Sequence, residues 1–599
     1  MKDKLIIILF LILLSVGFWV ILPVGMDMLF HMVRIGELAG ELSAHGFGPV
    51  YMYRNLYGNY GYPIPIFYGG VFLYPAALLV MAGIDVTFSY RIMVVAVLWI
   101  TYFTAYKCFG RFYENDGVDD SHSTGDSARL GRIAAFIYTA QPFFLRELFI
   151  RGALGGAMVF IFIPVVLLGL WLICDEDKQD RFKGILCLGA GMSGIIWSHL
   201  ISAVLVTGAL FVVVLVVLIR DKGRSAGRII GRIALAALVC LMLSIAYIAP
   251  MLEQLIDRTY RGSGDVNFWM TSESFIGMLI PEQFAEVLSV LTHRDVPTSV
   301  VGGAVLPVLI LVIYLIASRR IGKLTRTEWT ILIVYLVLHV SLAVSFIWKA
   351  LEPVFGFMQS IGRLYLIISC LGAVFAMILL KHFGEESYGR AQVVITLIAA
   401  IYMTVFFFGY FLARNVMQER MEAIIGHEIT PFAYSTDITD DLYIPVEVDM
   451  SRLTADNRSV ALLSEDGDVA WNYETDEASG AVYIDIDRAS NAGEMVFEVP
   501  FMMYKGYSAA RAEGDGVAAP NAGDSASYTV TAGSGGMVEV HIPSGTSGRI
   551  SVSYTGTLLQ KITCVISLLS AVALAAAAIV RKEKHGHNRG SRSRNGHST

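Results

Sequence analysis

Apolar residues fall into long runs that are separated by short polar segments. A helix needs about 20 such residues to cross a bilayer, and the runs of roughly that length lie near 5–22, 91–109, 133–150, 155–174, 184–198, 200–219, 233–250, 301–318, 328–348, 363–381, 391–411 and 557–580. The first run follows two lysines and lacks a small-residue cleavage site, so we interpret it as a retained signal anchor. The pattern predicts an all-α polytopic membrane protein with about 12 transmembrane helices.

One further apolar run, 64–83, is interrupted by two prolines and a glycine pair. If this run stays on the outer face and the amino terminus is cytoplasmic, the basic segments at 220–232 and 318–326 and the basic carboxyl tail all lie inside, as the positive-inside rule requires. If it crossed, all three would lie outside. We therefore expect 64–83 to be an interfacial or re-entrant element, and both termini to be cytoplasmic.

Between 412 and 556 the helical period gives way to alternation, as in "AVYIDID" (481–487), "MVEVHI" (537–542) and "RISVSY" (549–554). Alternation bounded by turn residues is typical of half-buried strands, so we expect a small extracytoplasmic β-sandwich before the last helix. The predicted organisation is a transmembrane core over 1–411 with an outer loop at 23–90, a β-rich domain over 412–556, a final transmembrane helix at 557–580, and a basic disordered cytoplasmic tail over 581–599.

Composition supports the membrane class. Hydrophobic residues make up 55% of the chain and charged residues 16%, with a mean hydropathy of +0.61, outside the usual balance of a soluble domain. The net charge is −6, and no basic cluster is interleaved with aromatic residues, which argues against nucleic-acid binding. The six cysteines lie in or beside apolar runs, which argues against a disulfide framework or a thiolate metal site.

Ionisable residues recur where the apolar runs meet the outer face. Asp27, His31 and Arg34 follow the first run at intervals of four and three residues, which places them on one helical face. The other candidates at this boundary are Glu147, Arg151, His199 in "WSHLIS", Glu253 and Arg363. Each has an ordinary alternative, such as an acid favoured by a helix dipole or a snorkelling arginine. Ionisable groups at membrane depth are costly, so their convergence indicates a site.

A carboxylate beside arginines suits one reaction type. The carboxylate removes a proton from an acceptor hydroxyl, while the arginines hold a phosphate that leaves from a lipid carrier. The chain contains no G-x-x-x-x-G-K-[ST] phosphate loop, H-E-x-x-H or C-x-x-C motif. These observations favour glycosyl transfer from a polyprenyl-linked donor.

The motifs "GMDMLFHMVRIGELAGEL", "NLYGNYGYPIPIFYGG", "LFIRGALGGAM", "SHLIS", "IAPMLEQ", "MQSIGRL", "LYIPVEV" and "VPFMMYKGY" occur in this order. Through these motifs and their order, the chain resembles the bacterial membrane proteins labelled 6-pyruvoyl-tetrahydropterin-synthase-related, close to the YfhO-like group of the GT-C glycosyltransferase superfamily. The likeness runs through nearly the whole chain. It implies a GT-C-like fold, a polyprenyl-phosphate sugar donor, an active site on the outer face and an acidic base in the first outer loop, which corresponds to Asp27.

The chain departs from this family at one place. The arginine–alanine segment of the family is often followed by an acidic residue, where this chain has Gly155 and Gly156. A second acid would come from Glu147 or Glu253. A divalent cation, Mg²⁺ or Mn²⁺, stays an open alternative. One or two carboxylates would supply only a few of the ligands that either ion takes.

We therefore expect a glycosyltransferase of the cell membrane that moves a sugar from a polyprenyl-phosphate-linked donor to a glycan or protein acceptor of the cell envelope. The predicted catalytic residues are Asp27 and His31, and the predicted substrate-binding residues are Arg34, Glu147, Arg151, His199, Glu253 and Arg363. The loop 251–300 is a candidate lid. The alternatives are a lipid or glycan transporter, which needs no base, and a non-catalytic envelope scaffold whose β domain binds a glycan or a protein.

Overall fold

Helices form most of the described chain as far as residue 380. The computed structural model describes residues 26–114, 124–174, 181–262, 306–358, 360–380, 382, 441–453, 458–464, 469–477, 479–488, 493–512 and 528–594, with isolated positions in the first fifteen. The helices of eight residues or more are α1 (Met26–His45), α2 (Tyr74–Met81), α3 (Val86–Glu114), α4 (Thr124–Thr139), α5 (Leu154–Cys174), α6 (Arg181–Ser198), α7 (Leu200–Arg220), α8 (Ala226–Asp257), α9 (Leu306–Ala317), α10 (Arg326–Ser341), α11 (Ser345–Phe355), α12 (Tyr365–Leu380) and α13 (Leu558–Arg594).

Several of these helices can cross a membrane. Within the described ranges, those long and apolar enough are Val86–Phe112, Leu154–Cys174, Leu200–Arg220, Ala226–Asp257 and Leu558–Ala577. Helices α10 and α11 meet at 93° and add a sixth span if they form one broken crossing. The chain is therefore a multi-pass membrane protein. The prediction of about 12 spans stays a prediction, because 391–411 and most of 5–22 lie outside the described residues.

Two helices end at other residues than the sequence predicts. The apolar run 133–150 is not one helix: α4 ends at Thr139, because Pro142 keeps the preceding Gln141 extended (ψ 131°). The basic tail was expected to be disordered from 581, yet α13 continues to Arg594.

The interrupted run 64–83 contains no helix of spanning length. It forms a turn at Ile64–Phe67, a second turn at Val71–Leu73 and the eight-residue α2. Eight residues rise about 12 Å, well short of the roughly 30 Å of hydrocarbon in a bilayer. The geometry therefore agrees with an interfacial or re-entrant element.

Small residues let the central helices approach closely. Helix α6 packs against both α5 and α8. A Cβ on Gly191 would lie 2.7 Å from a methyl carbon of Val166, and a Cβ on Gly189 would lie 2.6 Å from the carbonyl oxygen of Ala236. Such close approach of helices at small residues is typical of helix pairs in membranes, where van der Waals packing drives the association of helices.

The alternating segment forms the expected small β domain, a pair of four-stranded antiparallel sheets. The strands are β1 (Ala461–Leu462), β2 (Ala470–Asp476), β3 (Ala481–Arg488), β4 (Met495–Met502), β5 (Tyr507–Arg511), β6 (Thr529–Ala532), β7 (Met537–Ile542) and β8 (Gly548–Tyr554). The sheet orders are β1-β4-β7-β6 and β2-β3-β8-β5. Trp471 of the second sheet packs against Phe497 of the first, with ring centroids 5.1 Å apart. Residues 412–440, which we placed in this domain, lie outside the described residues.

Polar contacts attach the β domain to α8. The Gln254 side chain is fully buried; its Nε2 donates to the carbonyl oxygen of Lys505 at 2.8 Å, and its Oε1 accepts from the amide of Lys505 at 3.1 Å. The Lys505 ammonium also pairs with Asp257 at 3.1 Å. A buried amide that exchanges two hydrogen bonds with a backbone segment fixes the relative position of both elements.

Candidate functional site

The polar face of α1 begins with an accessible ion pair. Asp27 lies in the first turn of α1, and its Oδ2 is 2.7 Å from Nε of Arg151. The side chains of Asp27 and Arg151 are 36% and 40% exposed, so the ion pair lies at the surface of the protein. The structure thus places the predicted base in direct contact with one of the predicted phosphate partners.

A wide helical turn presents Arg151. Residues Arg146–Arg151 form a π-helical turn, a feature frequent at functional sites. It ends at Gly152, whose φ is +69° and where a Cβ would lie 2.6 Å from the Cβ of Met28. Within this turn Nη1 of Arg151 lies 3.5 Å from Oε1 of Glu147, so Asp27 and Glu147 flank one guanidinium. Burial by itself lowers the pKa of Arg151, but the charges of Glu147 and Asp27 outweigh it and raise the pKa.

Gly155 and Gly156, near the start of α5, make room for neighbouring side chains. A Cβ on Gly156 would lie 2.8 Å from Oε2 of Glu147, so the Glu147 carboxylate covers this glycine. A Cβ on Gly155 would collide with the hydroxyl of Tyr68 and lie 2.7 Å from the carbonyl oxygen of Ser198. The Glu147 carboxylate therefore occupies the space that a side chain at position 156 would need.

Tyr68 stands at the centre of the cluster. Arg34 is 1% exposed; its Nη2 donates to the carbonyl oxygens of Tyr68 at 3.0 Å and Gly69 at 2.7 Å. Its guanidinium also lies over the Tyr68 ring, 4.4 Å from the centroid. The ring centroids of His31 and His199 are each 6.0 Å from that of Tyr68. Burial, outweighing the nearby Arg34 charge, raises the pKa of Tyr68 to about 12, so the phenol is neutral.

Both histidines of the cluster are neutral at physiological pH. Burial, and next the charge of Arg34, lowers the pKa of His31 well below its usual value. Burial, followed by the charges of Arg363 and Arg151, lowers the pKa of His199 to about 3. Nδ1 of His199 accepts from the amide of Ser202 at 3.3 Å, where it caps α7. The neutral ring then carries its proton on Nε2, which makes His199 a hydrogen-bond donor rather than a cation.

Tyr68 was missed by sequence reasoning, because nothing distinguishes it from the other tyrosines of its aromatic run. Contacts in the structure bring Asp27, His31, Arg34, Glu147, Arg151 and His199 together around Tyr68 and Arg151, and the charge of Arg363 lowers the pKa of His199 and of Tyr68. Glu253 lies elsewhere: its carboxylate accepts from the Thr557 hydroxyl at 2.8 Å, just before α13 begins. Arg34 faces backbone carbonyls, which favours a positioning role over the phosphate contact expected from the sequence.

A metal ion would have few ligands here. Among the described residues, no three His, Cys, Asp or Glu side chains lie close enough together to hold one. The carboxylates of Asp27 and Glu147 both contact Arg151. A Mg²⁺ or Mn²⁺ ion at this site stays an open alternative.

The polar face of α1 continues beyond the cluster. Glu41 is 4% exposed; it accepts from the amide of Arg54 at 2.8 Å and pairs with the Arg54 guanidinium. Burial, and next the charge of Glu41, raises the pKa of the neighbouring Glu37 to about 7, against a hydrogen bond from Asn55 that lowers it. Glu37 is therefore an acid that titrates near neutrality.

We expect Glu37→Gln to remove a pH dependence of stability. Between pH of about 4.5 and 7 the folded protein keeps a proton that the unfolded chain has released, so stability falls by about 3 kcal/mol as the pH rises and is level above that window. The variant should melt at a higher temperature than wild type at pH 8 and lose most of the wild-type difference between pH 5 and pH 8. Melting in detergent at both pH values measures this; an unchanged pH slope contradicts it.

We expect opposite results from one substitution at two helical glycines. Gly155→Ala places a methyl group against Tyr68 and Ser198 and should lower stability by about 1–3 kcal/mol. Gly208→Ala in α7, where nothing lies within 4 Å of the new Cβ, should be neutral or stabilising by up to about 1 kcal/mol. Melting temperatures of the two variants compare them directly; equal losses would mean that the close approach at Gly155 is not what matters.

Comparison with protein-family models and with curated proteins gives no match. Among solved structures, the chain is similar to ArnT from Cupriavidus metallidurans, a structure described as bound to undecaprenyl phosphate. The similarity covers 66% of this chain and 63% of ArnT, with 14% sequence identity and a TM-score of 0.39. The chain thus spans less than two thirds of the length of the ArnT chain that it matches.

Proposed function

We propose that this protein is a membrane glycosyltransferase of the GT-C type, which transfers a sugar from a polyprenyl-phosphate donor to an acceptor of the cell envelope. The observation that carries the proposal is the accessible contact between Asp27 and Arg151. It joins an acid able to take a proton to a cation able to hold a phosphate, at the edge of a cluster that contains further arginines and two neutral histidines.

In the proposed reaction Asp27 accepts the proton of an acceptor hydroxyl as the hydroxyl oxygen attacks the anomeric carbon of the sugar. The bond from that carbon to the phosphate oxygen breaks, and the phosphate leaves with the electron pair. Arg151 and Arg363 offset the charge on the leaving phosphate, while Nε2 of His199 donates to an oxygen of donor or acceptor. Glu147 orients Arg151 from the other side. His31 stays neutral and packs against Tyr68.

Arg34 acts beneath this site. Nη2 of its guanidinium donates to two backbone carbonyl oxygens, Nη1 lies 3.4 Å from Nδ1 of His31, and the Tyr68 ring covers the group. We therefore assign Arg34 to holding the 64–70 segment against α1 rather than to binding the donor, and Glu253 to the contact between α8 and α13.

The proposal places the cluster on the outer face and both termini in the cytoplasm. The end of α7 and the turn that leads to α8, with the basic residues Arg220, Lys222 and Arg224, are then cytoplasmic, as the positive-inside rule requires. Reporter enzymes that are active only outside the cell should be inactive when fused after Gly223 and active when inserted into the exposed turn at Gly545.

The test is turnover in liposomes that contain the purified protein, a polyprenyl-phosphate hexose with a labelled sugar, and cell-envelope fragments as acceptor. We expect release of polyprenyl phosphate and labelled acceptor, both dependent on the envelope fragments. A transporter would move the intact lipid between leaflets without cleaving it, and a scaffold would do neither. Either result would overturn the proposal.

A further inference from the structure

Two adjacent residues connect the charged cluster to the β domain. Tyr68 lies in the cluster, between Arg34 and the two histidines. The neighbouring Phe67 lies flat against Tyr443, with ring centroids 4.6 Å apart and planes 5° from parallel. The ring of Tyr260 meets Phe67 edge-on at 4.9 Å. Phe67 is 5% exposed, so both tyrosines enclose it.

Tyr443 is itself held by the β domain and by the first loop. Its carbonyl oxygen accepts from the hydroxyl of Tyr504, a fully buried residue just after β4, at 2.9 Å. Its amide donates to the hydroxyl of Tyr62 at 3.0 Å. The Tyr504 ring also lies parallel to that of Tyr260, at 6.3 Å. The backbone of Tyr443 is therefore tied to the β domain through Tyr504 and to the first loop through Tyr62.

The backbone between the two rings has little freedom. The hydroxyl of Tyr247 in α8 donates to the carbonyl oxygen of Phe67 at 2.8 Å. The amide of Tyr68 donates to the carbonyl oxygen of Ile64 at 2.8 Å, and Arg34 holds the Tyr68 carbonyl. A Cβ on Gly69 would overlap the carbonyl oxygen of Trp197. Phe67 and Tyr68 belong to one hydrogen-bonded turn, in which Tyr68 follows Ile64–Phe67 as the C-cap, so packing on the Phe67 ring helps to hold Tyr68 in place.

We propose that Tyr443 is a positioning residue, through which the β domain sets the orientation of Tyr68 and of the two histidines beside it. The stack of Tyr443 on Phe67 is the contact that transmits this effect. Aromatic pairs in this geometry contribute beyond their buried area, and small displacements of groups near a reacting centre have large kinetic consequences. The kinetic part of this inference rests on the proposed glycosyl transfer, whereas the structural part does not.

The structural part is tested by hydrogen exchange of the amides in 64–70. Tyr443→Leu removes the stack and should speed exchange at Tyr68 by about fivefold or more, because the hydrogen bond to Ile64 then opens more often. Tyr443→Phe keeps the ring and should restore wild-type exchange. Trp471→Leu is the matched control: it breaks an aromatic contact inside the sandwich, away from Phe67, and should leave 64–70 unchanged.

Phe67→Leu removes the other ring of the same stack and should also speed exchange at Tyr68. With two variants, the test still gives an answer if one of them folds poorly. Exchange at Tyr68 that is unchanged in both Leu variants overturns the proposal. So does equal acceleration by Trp471→Leu, since the effect would then be general loosening of the β domain.

The kinetic part is tested by transfer assays on the same variants. Tyr443→Leu should lower kcat by about tenfold with a smaller change in KM for the lipid donor, and Tyr443→Phe should restore kcat to within about twofold. If Tyr443→Leu speeds exchange at Tyr68 but leaves kcat unchanged, the inference that Tyr443 positions groups for the reaction is wrong. If no transfer is found even in wild type, the proposed function fails while the exchange results still decide the structural coupling.

Discussion

Asp27→Asn is expected to lower sugar transfer by about 10²- to 10⁴-fold, the usual loss when a general base is removed. Asparagine has the same shape and can still accept a hydrogen bond from Arg151, but it cannot take the proton of the acceptor hydroxyl. The Asp27–Arg151 contact is partly exposed, so the variant should fold and reach the membrane. Single-turnover assays on purified protein, with donor binding measured separately, report the loss in the chemical step.

The control for Asp27→Asn is Asp85→Asn. Asp85 is also an acid at a helix start: its Oδ1 accepts from the amide of Phe88 at 3.1 Å, at the beginning of α3. If Asp27 acts only as a helix-start acid, the two variants should behave alike, with small losses of stability and ordinary transfer. Equal activity of Asp27→Asn, Asp85→Asn and wild type would leave a transporter or a scaffold as the better account of this protein.

Arg34→Met is expected to destabilise the protein by about 2–5 kcal/mol, because it leaves the carbonyl oxygens of Tyr68 and Gly69 buried without their donor. Methionine fills much of the same volume, so the loss reports hydrogen bonds and charge more than a cavity. We expect a lower melting temperature in detergent together with faster hydrogen exchange over 64–70.

The control for Arg34→Met is Arg452→Met in the β domain. The Arg452 side chain is 42% exposed and pairs with Glu498, and an ion pair at such a site contributes about 0–1 kcal/mol. If Arg34 instead binds the phosphate of the donor, Arg34→Met should keep the wild-type melting temperature and raise KM for the lipid. That outcome would restore the role expected from the sequence alone.

Local periodicity explains why parts of the site were predictable. The intervals between Asp27, His31 and Arg34 are set by the pitch of one helix, and α1 spans all three residues. The small β domain was predictable for the same reason, because a strand with one buried face must alternate: Val482, Ile484 and Ile486 point to the core, and the residues between them do not.

Contacts between distant segments were not predictable in this way. Nothing in the neighbourhood of Glu147 indicates that its carboxylate will cover Gly156, and nothing near Glu253 indicates that it will face Thr557 instead of the cluster. The central place of Tyr68 depends on α1, α5 and α7 meeting at one point. A chain with many equivalent tyrosines gives no local sign of which one lies there.

Spacing within single elements was enough to predict the membrane class, the shared face of Asp27, His31 and Arg34, and the strands before the last helix. The contact of Arg151 with Asp27, the inward turn of Arg34 to backbone carbonyls, and the packing of Phe67 on Tyr443 became visible only in the folded chain. These outcomes depend on which helices pack together and how closely, and that is set by the sum of many weak contacts along whole helices.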